Sequence, residues 1–189
     1  MQVRKTGLQG VLLIKPRRFA DERGHFVETY NRRILEAAGI EADFVQDNQS
    51  FSACRGTIRG LHFQYPPYPQ AKLIRVVQGS VFDVAVDLRN GSLTYGTWVA
   101  ETLTADGGEQ LFVPRGFAHG FCTLEPDTEV AYKVDGYYSP EYDSGFTWND
   151  PDLNIPWPVK GEPILSEKDR AFPPFSLFQS PFAYGAGDA

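Results

Sequence analysis

The stretch Arg59–Gly79, RGLHFQYPPYPQAKLIRVVQG, decides the fold. It places His62 at the start of an apolar run and Lys72 ten residues later, with Pro66, Pro67 and Pro69 interleaved with Tyr65 and Tyr68. It reads as the wall of a β-barrel, and the chain around it reads the same way from about Arg59 to Val134. Phe82, Val84 and Val86 alternate with Val81, Asp83, Ala85 and Asp87, the two-residue period of a strand with one buried face. Arg89-Asn90-Gly91-Ser92 supplies a turn and Thr97 to Leu103 opens the next strand. Asp106-Gly107-Gly108 punctuates again before Leu111-Phe112-Val113. Short strands at this spacing build a sandwich or jelly roll with a cavity between its sheets.

Composition agrees. Of the 189 residues, 14 are Pro and 18 Gly while only one is Met, the pattern of many short strands joined by tight turns. The length suits a single domain over residues 1–189. The one convincing helix lies in NRRILEAAGI, where Asn31 caps the start, Ile34, Leu35 and Ala38 share a face, and Gly39 closes the end. It is expected outside the sheet. From about residue 150 the chain carries seven prolines and is expected to wrap as an extended arm, with the small residues of SPFAYGAGDA fraying at its end.

A formal charge of −6 with no basic stripe argues against a nucleic-acid partner, so an anionic ligand needs a local arginine cluster. No apolar run approaches the ~18 residues of a membrane helix, so no membrane partner is expected. Cys54 and Cys122 are far apart without CxxC spacing, and MQVRKTG has no leader pattern. A cytoplasmic protein is the expectation.

Two segments bracket the β-core: His62, Gln64, Lys72 and Gly79 in the first, and Pro114, Gly116 and His119 within PRGFAHGF in the second. Together they resemble the paired motifs of the cupin superfamily, which implies an all-β, double-stranded β-helix or jelly roll with a few short peripheral helices. Metal-binding cupins place a second histidine where this chain has Gln64, and a glutamate seven residues before the glycine, where it has Lys72. A charged ammonium has no lone pair to give and repels a divalent cation. The pocket is therefore expected to hold no metal, and the lysine to stabilise negative charge on a substrate. Taken alone, His62 reads first as a hydrogen-bonded barrel residue and Lys72 as a solvated edge residue.

Three further clusters weigh against that plain reading: FADERGHFVETY, VQDNQSFSACRGTIRGLH and LSEKDR. Strand alternation alone puts Arg59 and His62 on opposite faces, and only a bulge at Gly60 brings them together. LSEKDR by itself is a polar surface turn.

In order along the chain, Phe19-x-Asp21-x-Arg23-Gly24-x-Phe26-x-Glu28, Gln46-x-Asn48-x-Ser50, Arg59-Gly60-Leu61-His62-x-Gln64 and Gln70-x-Lys72-Leu73 are followed by Asp83 to Arg89. Then come Pro114-x-Gly116-x-Ala118-His119-Gly120-Phe121, Trp148-Asn149-Asp150-Pro151 and Leu165-Ser166-x-Lys168-Asp169. This set resembles the dTDP-4-dehydrorhamnose 3,5-epimerase family over nearly the whole chain.

The resemblance implies a cofactor-free isomerase acting on a dTDP-sugar. It would invert C3 and C5 of dTDP-4-dehydro-6-deoxy-D-glucose through an enolate, giving dTDP-4-dehydro-L-rhamnose. Such chemistry needs a base on one face, a donor at the ketone oxygen and an acid on the other face. By resemblance, His62 is the base, Asp169 its partner, Lys72 the enolate stabiliser and Tyr132 the opposing proton donor. Arg23 and Arg59 would meet the diphosphate, His119, Lys168, Glu28, Asp47, Asn48 and Gln49 would make further substrate contacts, and Tyr138 would stack on thymine. Asp143 stands where the family usually has glutamate, so its nucleotide contact is the weakest carry-over. The family also implies a homodimer. Three other readings stand beside this one: a 3-epimerase of a related deoxysugar, a non-catalytic sugar-nucleotide binder and a metal cupin.

Overall fold

The computed structural model describes residues 1–185. The strands are β1 (Gln2–Lys5), β2 (Leu12–Lys15), β3 (Arg18–Asp21), β4 (Gly24–Val27), β5 (Gln46–Ser52), β6 (Ile58–Gln64) and β7 (Lys72–Gln78). They continue as β8 (Ser80–Asp87), β9 (Trp98–Thr104), β10 (Gln110–Val113), β11 (Phe117–Thr123), β12 (Thr128–Val134) and β13 (Asp143–Gly145). Two short α-helices, α1 (Arg32–Ala37) and α2 (Glu167–Ala171), lie at the periphery.

One sheet runs β1-β2-β10-β7-β12-β5 and a second β13-β6-β11-β8-β9, while β3 and β4 pair as a separate hairpin. The sheets pack face to face as a cupin-type jelly roll. Their inner faces share an apolar plug that includes Ile74, Val76, Val81, Ala85, Leu103, Leu111, Phe117, Phe121 and Val130. The alternation read from residues 81–87 holds: Val81 and Ala85 enter this plug, whereas Val84 and Val86 face outward.

Those outward residues are not wasted, because the C-terminal arm covers them. Ile58, Leu61, Phe63, Val84, Val86 and Leu88 pack with Leu153, Ile155, Trp157 and Phe182. The arm's proline-rich chain has few ladder bonds to offer, so side-chain burial and local bonds hold it. Asp150 accepts from Leu153 N at 3.0 Å and from Phe175 N at 2.6 Å. Within SPFAYGAGDA, Phe182 is buried and its carbonyl accepts from Asn90 N at 2.7 Å, while residues 186–189 lie outside the described part.

The predicted helix is α1, with Asn31 Oδ1 accepting from Ile34 N and Gly39 at φ +82° closing it. It sits outside the six-stranded sheet, where Leu35 and Ile40 pack on Ile14, Leu73 and Phe112. Ile34, expected on the buried face, is exposed. LSEKDR is a helical turn rather than an isolated surface turn: Ser166 caps α2, accepting from Asp169 N at 3.1 Å. No helix among the described residues is long and apolar enough to cross a membrane.

Candidate active site

Strand β6 carries the first groups. Leu61 and Phe63 point to the outer core, so His62 between them points into the cavity between the sheets. Arg59 joins it there, against strict alternation. Opposite β11, Arg59 pairs with Phe121 and His62 with His119, so two β6 residues, Gly60 and Leu61, face one residue of β11. This is a bulge. Gly60 has φ +125°, and a Cβ on it would lie 2.5 Å from Gly120 Cα, so only glycine makes this turn. Arg59 then donates from Nε to Ser52 Oγ at 3.2 Å and from Nη2 to Phe51 O at 2.9 Å.

His62 Nε2 lies 2.5 Å from Asp169 Oδ1 on α2. An ionised carboxylate only accepts, so Nε2 carries the proton in this bond. Burial pushes the Asp169 carboxyl up, yet the bonds and charge from His62, with Ser166 and Lys168, hold it below its usual range. With Nε2 engaged by the carboxylate, Nδ1 is the nitrogen at which the neutral form of the ring accepts a proton, the arrangement a base needs.

The six-stranded sheet faces it with Tyr132 and Lys72. On β12, Val130 and Val134 flank Tyr132, which packs on the inner plug, and Val134 pairs with Lys72 on β7. Burial lowers the Lys72 ammonium to about 8, against the opposing pull of Asp143 and Asp83, with Lys168 lowering it further. Burial likewise raises the Tyr132 phenol, opposed by Arg59 and assisted by Asp143 and Tyr138, so it stays protonated at neutral pH.

His119 is buried, with Nε2 2.8 Å from Asp83 Oδ1. The other oxygen, Asp83 Oδ2, is buried without a hydrogen-bond partner. Nearer the mouth, Asp143 Oδ2 accepts from Tyr138 Oη at 2.9 Å and pairs with Lys168 Nζ. Asp143 is therefore occupied by two side chains at the rim. Burial lowers the Lys168 ammonium, but the Asp143 bond more than offsets it and the net shift is upward.

Gln64, in the place of a metal cupin's second histidine, is spent on backbone. It donates to Tyr68 O at 2.6 Å and to Tyr137 O at 3.3 Å, and accepts from Ser139 N at 2.8 Å. Among the described residues no group of three or more His, Cys, Asp or Glu gathers to hold a metal.

The structure divides the remaining sequence candidates. On β5, burial alternates, and Asn48 pairs with Tyr132 on the inner face. Asp47 and Gln49 point the other way: Asp47 pairs with Lys133 at 2.8 Å and Gln49 donates to Glu129 at 3.0 Å. With Thr29, Arg75 and Gln110 they line an outer-face cavity of about 370 Å³. Arg23 and Glu28 also stay away from His62. Arg23, with its side chain 85% exposed, bonds Asp21 of its own turn, and Glu28 accepts from Asn31 at 3.0 Å.

Sequence reasoning missed Gln46 as a site residue. It donates to Asn48 Oδ1 at 2.9 Å and accepts from Tyr138 N at 3.1 Å, and its two-residue spacing from Asn48 was the available signal. Asp83, partner of His119, stood in the quoted pattern without a role.

The fold and this cavity define a cupin-type protein equipped for acid–base chemistry on a small anionic ligand. The chain belongs to the dTDP-4-dehydrorhamnose 3,5-epimerase family, whose sequence profile matches residues 5–176. The dTDP-4-dehydrorhamnose 3,5-epimerase of Methanothermobacter thermautotrophicus is 50% identical over 172 residues, 90% of this chain and 92% of that protein. The crystal structure of the Bacillus anthracis enzyme of that name, with TDP and PPi bound, is 55% identical and superposes with a TM-score of 0.89 over 92% of this chain and 98% of that one. A Legionella pneumophila dTDP-6-deoxy-D-glucose-3,5-epimerase in complex with dTDP-4-keto-L-rhamnose is 41% identical, with a TM-score of 0.89 and 94% of each chain covered.

Proposed function

We propose that this chain epimerises C3 and C5 of dTDP-4-dehydro-6-deoxy-D-glucose to give dTDP-4-dehydro-L-rhamnose. The observation that carries the reading is His62 on one sheet, 2.5 Å from Asp169 of α2, with Tyr132 and Lys72 on the sheet opposite. A base and an acid on opposite walls are what inversion at carbon requires.

At each carbon, His62 Nδ1 removes the proton beside the ketone and becomes an imidazolium stabilised by Asp169. The C–H electron pair moves into the enolate, whose oxygen receives a hydrogen bond from the Lys72 ammonium. Tyr132 Oη delivers a proton to the other face as the enolate collapses. Exchange with solvent then returns His62 to the neutral form and Tyr132 to the phenol. The reaction is redox-neutral, and its proton balance closes through these groups together with exchange with solvent.

Arg59, His119, Lys168 and Asn48 bind the sugar nucleotide, Tyr138 stacks on the thymine, and Asp143 acts through Tyr138 and Lys168. Local cations thus receive a diphosphate on an acidic chain. Arg23 and Glu28 serve a neighbouring site in a homodimer, which accounts for an arginine spent only on its own hairpin. A single domain working in the cytoplasm, with Cys54 and Cys122 as free thiols, completes the reading.

The test is proton NMR of the substrate with the protein in deuterated water, with a coupled reductase trapping the product. Exchange at both carbons and a rhamnose-configured product are expected. Exchange at one carbon makes it a monoepimerase, and exchange at neither despite dTDP binding leaves a binding protein.

A further inference from the structure

The His62–Asp169 pair has a flank that the chemistry above does not use. Phe172, which ends α2, sets its ring 5.6 Å from the His62 ring at an interplanar angle of 65°, an edge contact. Its seat exists because the residue opposite His62 on β13 is Gly145. A Cβ on Gly145 would overlap Leu61 O and lie 2.7 Å from Phe172 Cε2, so a side chain there would collide with the β6 backbone and with the ring. The ring cannot easily leave, since the next residue's carbonyl, Pro173 O, accepts from Thr147 N at 3.1 Å. Lys168 Nζ stands 5.7 Å from the same ring's centroid. One phenyl group therefore lies beside both the imidazole of His62 and the ammonium of Lys168.

His62 needs such a neighbour. Its side chain is 30% exposed, and an imidazole open to water can turn over and present the wrong nitrogen to Asp169. We propose that Phe172, seated on Gly145, is a positioning residue for the epimerisation, holding His62 in the tautomer that protonates Nε2 and keeping water off its bond to Asp169. The apolar ring strengthens that bond by lowering the local dielectric and leaves Nδ1 aimed at the cavity. The catalytic part of this inference rests on the function proposed above.

The test compares the wild type with Phe172→Ala, Phe172→Leu and Phe172→Tyr by steady-state kinetics and by nitrogen-15 NMR of labelled histidines. The chain has only three histidines, so the His62 signals are assignable. Phe172→Ala is expected to lower kcat by roughly tenfold or more, with KM changed by less than about twofold, because misplaced groups lose rate rather than ground-state binding. Its His62 nitrogens should average between tautomers. Phe172→Tyr should restore both readouts, and Phe172→Leu should restore neither fully. A Phe172→Ala protein with wild-type kcat and an unchanged His62 spectrum overturns the proposal, as does one that only melts earlier. If the wild type exchanges neither sugar carbon, the epimerase reading fails, and the histidine spectra still decide whether Phe172 sets the tautomer.

Discussion

If His62 is the base and Asp169 holds its other nitrogen, as proposed, catalysis and binding separate in a mutant. His62→Ala should abolish exchange at both carbons while dTDP binding, measured by calorimetry, stays near wild type, because the proposed nucleotide contacts lie on Arg59, Lys168 and Tyr138. A parallel loss of dTDP affinity would contradict the assignment. Lys72 makes the opposite kind of prediction, since burial of its ammonium costs the fold while the proposed reaction uses it. Lys72→Met should lose a hundredfold or more in kcat, on the order of the loss of an oxyanion donor. It should nevertheless melt no earlier than wild type at pH 7, because the variant no longer buries a charge. The pH dependence follows in sign. With a folded value of about 8 against an ordinary 10.5, the unfolded chain binds more protons between those limits, so the wild type gains stability relative to Lys72→Met as pH rises through them. Over the same rise kcat/KM should fall above about pH 8, as the free protein loses the ammonium it needs. A flat limb from pH 7 to 10 would place another donor at the oxygen.

At the scale of elements, the site depends on one irregularity in a regular strand. Alternation along β6 puts Arg59 and His62 on opposite faces, and the sequence offers only Gly60 as a hint otherwise; the bulge needs β11 as a partner, which no local pattern contains. Gly60→Ala tests this, since its Cβ would meet Gly120 Cα at 2.5 Å in a backbone of φ +125°. The variant should lose roughly 3 kcal/mol or more of stability, measured by urea unfolding, and turnover should fall with it as Arg59 and His62 part. Helix α1 was legible because its cap and closing glycine are local signals, whereas α2 was not, being a single turn stabilised by Ser166 and by the His62–Asp169 bond. The division of β5 follows from simple period-two geometry, yet the family likeness had grouped Asp47, Asn48 and Gln49 together. A shared motif carries residues across by position and says nothing of which face each one occupies.

Across the whole molecule, the β-core was readable from its turn residues and alternation, because burial on one face leaves that mark in the sequence. The placement of Arg23 was not, because a residue's distance from a site is set by the complete fold and by any second copy. The hairpin that carries it leaves Phe19 51% and Phe26 69% exposed, large apolar area for a free edge. Val3, Phe51 and Val77 are exposed as well. In the proposed homodimer, a second copy that buries these surfaces would bring its Arg23 to the neighbouring site, and this can be read by complementation. Arg23→Ala should weaken substrate binding, and His62→Ala should remove turnover, each in its own homodimer. If each site takes Arg23 from the other copy, mixing the two inactive variants and letting subunits exchange creates heterodimers with one intact site. Random exchange makes half the dimers mixed, so activity should recover to about a quarter of wild type, under conditions where neither variant alone turns over. With Arg23 and His62 drawn from the same copy, no heterodimer contains an intact site and the mixture stays inactive. Recovery requires exchange, so it should appear at the rate at which light scattering or subunit labels show the copies trading places, and a monomer by the same measurement would end the argument.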